Sequence, residues 1–255
     1  MVSIEDIKKL RDLSNVSIGE CKKVLEETGG DLDKALEILK KKSADIASRK
    51  AQRTTSGGLV VIEKSDNKTA VVVLNCETDF VAKNDAFVKL AKDLASLALK
   101  DGAETTKNNA KGMIDQVIQI TGENIQLKEV NVFSGNIGSY VHTGKIGAIV
   151  DLEKENEALA KDIAMHITAL APQYLNFESI PTDKVTEMKR HYESETALLN
   201  KPENIKTKII EGKLKDYFGQ MTLADQSFIK DDKMTIGELL QKENNRVKTF
   251  TLYTL

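Results

Sequence analysis

The chain has 255 residues and a net charge of −2, with 37 basic residues set against 39 acidic ones. That balance gives no basis for general nucleic-acid binding, and the absence of Trp with only 5% aromatic residues removes most stacking platforms for single strands. No apolar run approaches the roughly 20 residues of a membrane helix. The start Val2-Ser3-Ile4-Glu5-Asp6-Ile7 lacks the apolar segment of a signal peptide, and Cys21 and Cys76 stand far apart with no Cys-x-x-Cys partner. A soluble cytoplasmic protein with reduced thiols is the expectation.

Residues 3–42 predict three short helices. Ile4, Ile7 and Leu10 mark the first, and Ser17 with Glu20 three residues later has the spacing of a capping box ahead of Cys21, Val24 and Leu25. Gly29-Gly30 ends the second, Asp31 can cap the third, and Leu32, Ala35, Leu36 and Leu39 form its apolar face. About 40 residues make a marginal core, so the module is expected to lean on a partner. Residues 43–57 read as a basic linker. Lys40, Lys41, Lys42, Arg49, Lys50 and Arg53 face Asp45 alone, which suits a short solvated helix tail better than a nucleic-acid site.

Leu59–Ile62 and Thr69–Leu74 predict two strands around Ser65-Asp66-Asn67. Ala70-Val71-Val72-Val73-Leu74 is a continuous apolar run, the pattern of a buried strand, and Phe87, Leu90, Ala91, Leu94 and Ala98 follow at helical spacing. Residues 110–120 look helical, while Ile125, Leu127, Val130 and Val132 look extended. The pattern then recurs: Ser139–His142 and Ile146–Leu152 predict strands around Thr143-Gly144-Lys145, and the helix after them carries Leu159-Ala160-Lys161-Asp162-Ile163-Ala164, matching Leu90-Ala91-Lys92-Asp93-Leu94-Ala95.

Residues 182–218 break the repeat. Val185, Met188, Tyr192 and Leu199 predict one helical stripe, and Ile205, Ile209, Leu214 and Phe218 a second, around Asn200-Lys201-Pro202-Glu203. Thr235 and Glu238 can cap a short helix, and Val247–Leu255 reads as a final strand. The expected class is α+β: a three-helix module at 1–42, a linker at 43–57, a first subdomain at 58–138, a related second one at 139–180 and 226–255, and an inserted antiparallel helical hairpin at 181–225.

Between the buried strand and the next helix stands Asn75-Cys76-Glu77-Thr78-Asp79-Phe80-Val81-Ala82-Lys83-Asn84-Asp85-Ala86-Phe87. A surface connection of this kind often carries function. Spacing alone nevertheless favours a plainer reading, with Phe80 folded back onto the core and Thr78, Asp79 or Asn84 capping the helix. His142, His166 and His191 share no metal-ligand spacing, and His166 reads as a satisfied core or boundary histidine. No nucleophile elbow appears, and Gly144-Lys145-Ile146 lacks both the Ser/Thr and the first glycine of a phosphate loop. No catalytic residue, metal site, cofactor or direct nucleotide binding is expected.

Thr78-Asp79-Phe80-Val81-Ala82-Lys83-Asn84 resembles the central motif of the elongation factor Ts family, the guanine-nucleotide exchange factors of elongation factor Tu. Cys21–Ala35 resembles the family's amino-terminal module, which has the three-helix fold of ubiquitin-associated domains. Tyr140-Val141-His142-Thr143-Gly144-Lys145-Ile146-Gly147, Asp162–Ile167 with Pro172–Leu175, Lys201–Ile205, Ile210–Leu214 and Gln226–Asp231 are similar to further family stretches. Gly19 and Ser227 depart from the usual residues, a bulky apolar side chain and a proline. The resemblance implies exchange of GDP for GTP on elongation factor Tu, with Phe80 and Asp79 entering near the partner's nucleotide-bound magnesium and Thr78 and Val81 shaping the turn. It also implies secondary partner contacts through Arg11, Ile18, His142 and Gly144. The alternative is a non-catalytic adaptor working through the amino-terminal module, with RNA binding at Lys40–Arg53 a weaker third.

Overall fold

The computed structural model describes residues 2–14 and 16–255, which form two compact units. The first runs to Ser134 and includes Thr143–Gly147 and Tyr253–Leu255; the second comprises Gly135–His142 and Ala148–Leu252. Among the described residues, no helix is long and apolar enough to cross a membrane.

The first unit begins with α1 (Ile4–Ser14), α2 (Ile18–Glu27) and α3 (Leu32–Lys50). Ser17 accepts a hydrogen bond from the Glu20 N–H at 3.3 Å, and Asp31 accepts one from the Lys34 N–H at 3.1 Å. Both caps satisfy N–H groups that a helix start leaves free. Leu10, Val24, Leu25, Ala35 and Leu39 close a small core. Helix α3 does not stop where the linker was expected. It continues to Lys50, with Ser43 and Ala47 buried; Ala47 joins the larger core of the unit, and Ser43 bonds Gln119. The tail is thus packed on one side rather than solvated. Four of its cations are engaged: Lys41 with Glu37, Lys42 with Glu20, Lys50 with the Gly122 carbonyl and Arg53 with Glu77.

Strands β1 (Gly57–Ser65), β2 (Lys68–Cys76) and β3 (Ile125–Ser134) form an antiparallel sheet with β2 central. Every residue of β2 from Thr69 to Cys76 is buried, which is why its sequence shows a continuous apolar run instead of alternation. Between β2 and β3 lie the short α4 (Asp79–Ala82), α5 (Asp85–Asp101) and α6 (Ala103–Thr121). Phe87, Leu90, Leu94 and Ala98 of α5 pack with Val72, Leu74, Val117, Ile118 and Val130 in the main core.

Strands β4 (Asn136–His142), β5 (Ile146–Leu152) and β8 (Val247–Thr254), which fall mostly in the second unit, form a sheet in the order β4-β5-β8. Helix α7 (Glu157–Leu170) supplies Leu159, Ile163, Ala164 and Ile167 to a core with Val150, Leu152, Leu223 and Ile236. The repeat therefore holds for the hairpin and its helix. The third strand arrives differently: after the short α4 and the helices α5 and α6 in the first unit, but after a long insertion in the second. That insertion holds α8 (Thr182–Ala197) and α9 (Glu203–Gly219); the chain then returns through β6 (Ser227–Phe228), β7 (Asp231–Thr235) and α10 (Ile236–Lys242). Thr235 and Glu238 close a full capping box on α10. The expected stripes need one correction. Ile210, Leu214 and Phe218 face inward on α9 with Val185, Met188 and Tyr192 of α8, while Ile205 and Leu199 are exposed. Ile180, Tyr174 and Met221 complete that cluster, so the hairpin does not bury only its own two faces.

Candidate functional site

The chain leaves β2 at Cys76 and turns immediately into α4. Thr78 is the N-cap, extended at φ −129°, and its hydroxyl accepts from the Val81 N–H at 3.4 Å. After a single turn of helix, Asn84 caps α5 by accepting from the Ala86 N–H at 2.9 Å. Thr78 and Asn84 are thus both caps, but of successive helices, and Asp79 caps neither.

One helical turn can bury only one side. Val81 and Ala82 take the inward side and join the main core. Phe80, about 100° around the helix from Val81, points outward and is 88% exposed. This overturns the plainer reading that Phe80 folds onto the core. Spacing could not show it, because a four-residue helix is too short to display a period.

Asp79 meets the β4–β5 turn. The Lys145 ammonium lies 3.1 Å from both of its carboxylate oxygens, at an exposed position. The neighbouring Gly144 carbonyl accepts from the Val60 N–H at 2.7 Å. Gly144 and Asp79 are therefore brought onto one patch of the first unit. Arg11, in the last turn of α1, and Ile18, the first residue of α2, are exposed on the helical module instead. His142 belongs to the second unit, where its Nδ1 lies 3.3 Å from the Tyr140 hydroxyl.

Several residues that hold the turn carry no local signal. Glu123 takes both the Thr78 N–H (2.9 Å) and the Thr78 hydroxyl proton (2.6 Å). Glu77 accepts from the Asn124 N–H at 2.7 Å and faces Arg53 at 3.4 Å, and the Ser56 hydroxyl donates to the Glu77 carbonyl. Asn124 is buried and donates to the carbonyls of Ala51 and Arg53. At Gly57 a Cβ would stand 2.9 Å from the Thr78 carbonyl carbon and oxygen, so only glycine admits the turn this close to β1. The Cys76 thiol donates to the Thr78 carbonyl at 3.2 Å. Burial, and then the Glu123 and Asp79 carboxylates, push its pKa up to about 11, so it stays protonated and poorly nucleophilic.

Among the described residues, no cluster of His, Cys, Asp and Glu could hold a metal ion. What the patch offers is an exposed aromatic side chain on a capped, hydrogen-bonded turn, with a carboxylate beside it. That suits insertion into another macromolecule better than chemistry on a small substrate.

Residues 77–255 match the family model described as elongation factor TS. The match begins at the site turn and leaves the helical module outside. Curated relatives extend over the module as well. The chain is 38% identical to an elongation factor Ts of Hydrogenobaculum sp., covering 100% of this chain and 98% of the relative. It is 38% identical to the elongation factor Ts of Methylococcus capsulatus, over 97% and 89%. For that of Thermobifida fusca the identity is 35%, over 97% and 96%.

Proposed function

The chain belongs to the elongation factor Ts family, and from that premise we propose that it is a translation elongation factor promoting release of GDP from elongation factor Tu by inserting the Thr78–Val81 turn beside the partner's nucleotide-bound magnesium. It acts as an exchange factor, not as a catalyst of covalent chemistry. The observation that carries this reading is Phe80: an apolar side chain 88% exposed at the apex of a turn whose other apolar residues are buried.

The physical logic is coupling. If the protein weakens GDP binding to its partner, GDP must weaken the protein's binding by the same factor. The ternary state is transient and the ratio of nucleotides bound at equilibrium is unchanged; the barrier to release is what falls. Burying a phenylalanine side chain contributes roughly 1.5–3 kcal/mol. At about 1.4 kcal/mol per factor of ten, Phe80 alone accounts for about one to two orders of magnitude in release rate. In this reading Asp79 exchanges its exposed Lys145 partner for a group on elongation factor Tu, holding the displaced element away from the magnesium. Since magnesium bridges phosphate oxygens to its protein, disturbing its shell loosens the nucleotide. Gly144 and His142, with Arg11 and Ile18 on the helical module, are assigned secondary contacts.

The test is release of a fluorescent GDP analogue from elongation factor Tu at increasing concentrations of this protein. Phe80→Ala should slow stimulated release at saturation by about one order of magnitude or more. Wild-type stimulation by a folded Phe80→Ala variant would overturn the wedge.

A further inference from the structure

We propose that Glu123 is a positioning residue for exchange: its carboxylate presets the Phe80-bearing turn before the partner is met. This rests on the role given to Phe80 above.

Helix α4 cannot order itself alone. Four residues form too little helix to hold themselves, since nucleation is unfavourable and propagation has hardly begun. Something outside the segment must hold Thr78 extended and Asp79–Ala82 helical. Glu123 lies 45 residues further along the chain and meets Thr78 with both oxygens. One takes the backbone N–H. The other takes the hydroxyl proton, which leaves the hydroxyl lone pairs facing the Val81 N–H. A single carboxylate thus sets the backbone of the cap and the rotor of its side chain together.

The contact is reciprocated. Glu77, next to Thr78, accepts the N–H of Asn124, next to Glu123. Two connections, β2–α4 and α6–β3, each receive a carboxylate from the other. Gly122 makes this possible, ending α6 in the left-handed region at φ 75° and turning the chain sharply into Glu123. Asn124 then ties the same corner to the carbonyls of Ala51 and Arg53. The clasp surrounds the turn but leaves Phe80 exposed. Ordering the turn in advance removes an entropic cost from binding.

The proposal has a readout that a purely structural role would not move. Full-length Glu123→Ala and Glu123→Gln are compared with wild type; Gln retains the size and one acceptor where Ala fails to fold. Amide hydrogen exchange should accelerate by about tenfold or more at Thr78–Val81, with core strand β2 unchanged. The concentration giving half-maximal release of fluorescent GDP from elongation factor Tu should rise by about tenfold for Glu123→Ala. Adding Glu123→Ala to Phe80→Ala should then change exchange by less than about twofold, because both act through one side chain. Unchanged protection at Thr78–Val81, wild-type exchange, or full multiplication of the two effects would each overturn the proposal. If Phe80→Ala itself exchanges like wild type, the wedge fails instead, and the amide measurement still decides whether Glu123 orders the turn.

Discussion

Truncating two phenylalanines seven positions apart should have opposite consequences. Phe87 is fully buried in the main core, while Phe80 is 88% exposed. Phe87→Ala removes a ring from a packed interior and leaves a cavity, at a cost of about 3–5 kcal/mol. At about 2–4 °C per kcal/mol for a domain of this size, its melting midpoint should fall by roughly 6–20 °C. Phe80→Ala removes only about one-eighth of a side chain's burial, under about 0.4 kcal/mol. Alanine's better helix propensity offsets part of that in α4, so the expected shift is below roughly 2 °C. The chain has no Trp, so unfolding is best followed by circular dichroism at 222 nm. A midpoint loss for Phe80→Ala approaching that of Phe87→Ala would mean that the ring is packed, and the exposed-wedge argument would collapse. A small stability change joined to a large exchange defect is the expected pair of results.

Gly57→Ala should displace the Thr78 backbone, because the new Cβ meets carbonyl atoms that cannot swing aside; weaker exchange with an intact circular dichroism spectrum is expected, and unaltered exchange would show that the turn tolerates the shift. Cys76, with its pKa raised from 9.0 to about 11, should resist a thiol reagent at pH 8 until the chain unfolds, and rapid labelling of folded protein would contradict its burial. Because the folded pKa is the higher, this thiol's contribution to stability is complete below pH 9 and is lost as pH rises toward about 11. His166 is buried with Nε2 2.9 Å from the Gln226 side-chain Oε1 and Nδ1 unpartnered, and burial lowers its pKa from 6.5. Its unfolded form binds protons first, so the stability it confers is present above pH 6.5 and lost on acidification; the urea midpoint of His166→Gln should depend less on pH between 7.5 and 5, and an identical pH slope would refute this.

Much of the site's local architecture was written in adjacent residues. Thr78 and Asn84 stand where caps are needed, and the apolar run before them and the helical spacing after them mark a strand and a helix. Such signals work because capping and periodicity act over four or five residues. The motif itself, from Thr78 to Asn84, suggests the family without reference to the fold. Partners in three dimensions were a different matter. Glu123 and Lys145 reach Thr78 and Asp79 across 45 and 66 residues, and no spacing rule connects them.

Burial was decided by packing, not by residue type. Residue type and spacing alone place Phe80 in the core, whereas the family motif places it outside; the inward places on α4 go to Val81 and Ala82, and one turn has no second inward face. The same holds on α9, where Ile209 and Ile210 are adjacent and either could begin a stripe. The sequence by itself determined two amphipathic helices around Pro202. Only their packing against Ile180, Tyr174 and Met221 selected Ile210, Leu214 and Phe218 as the buried row, because a periodic pattern states that one face is apolar while its neighbours fix which residues that face contains.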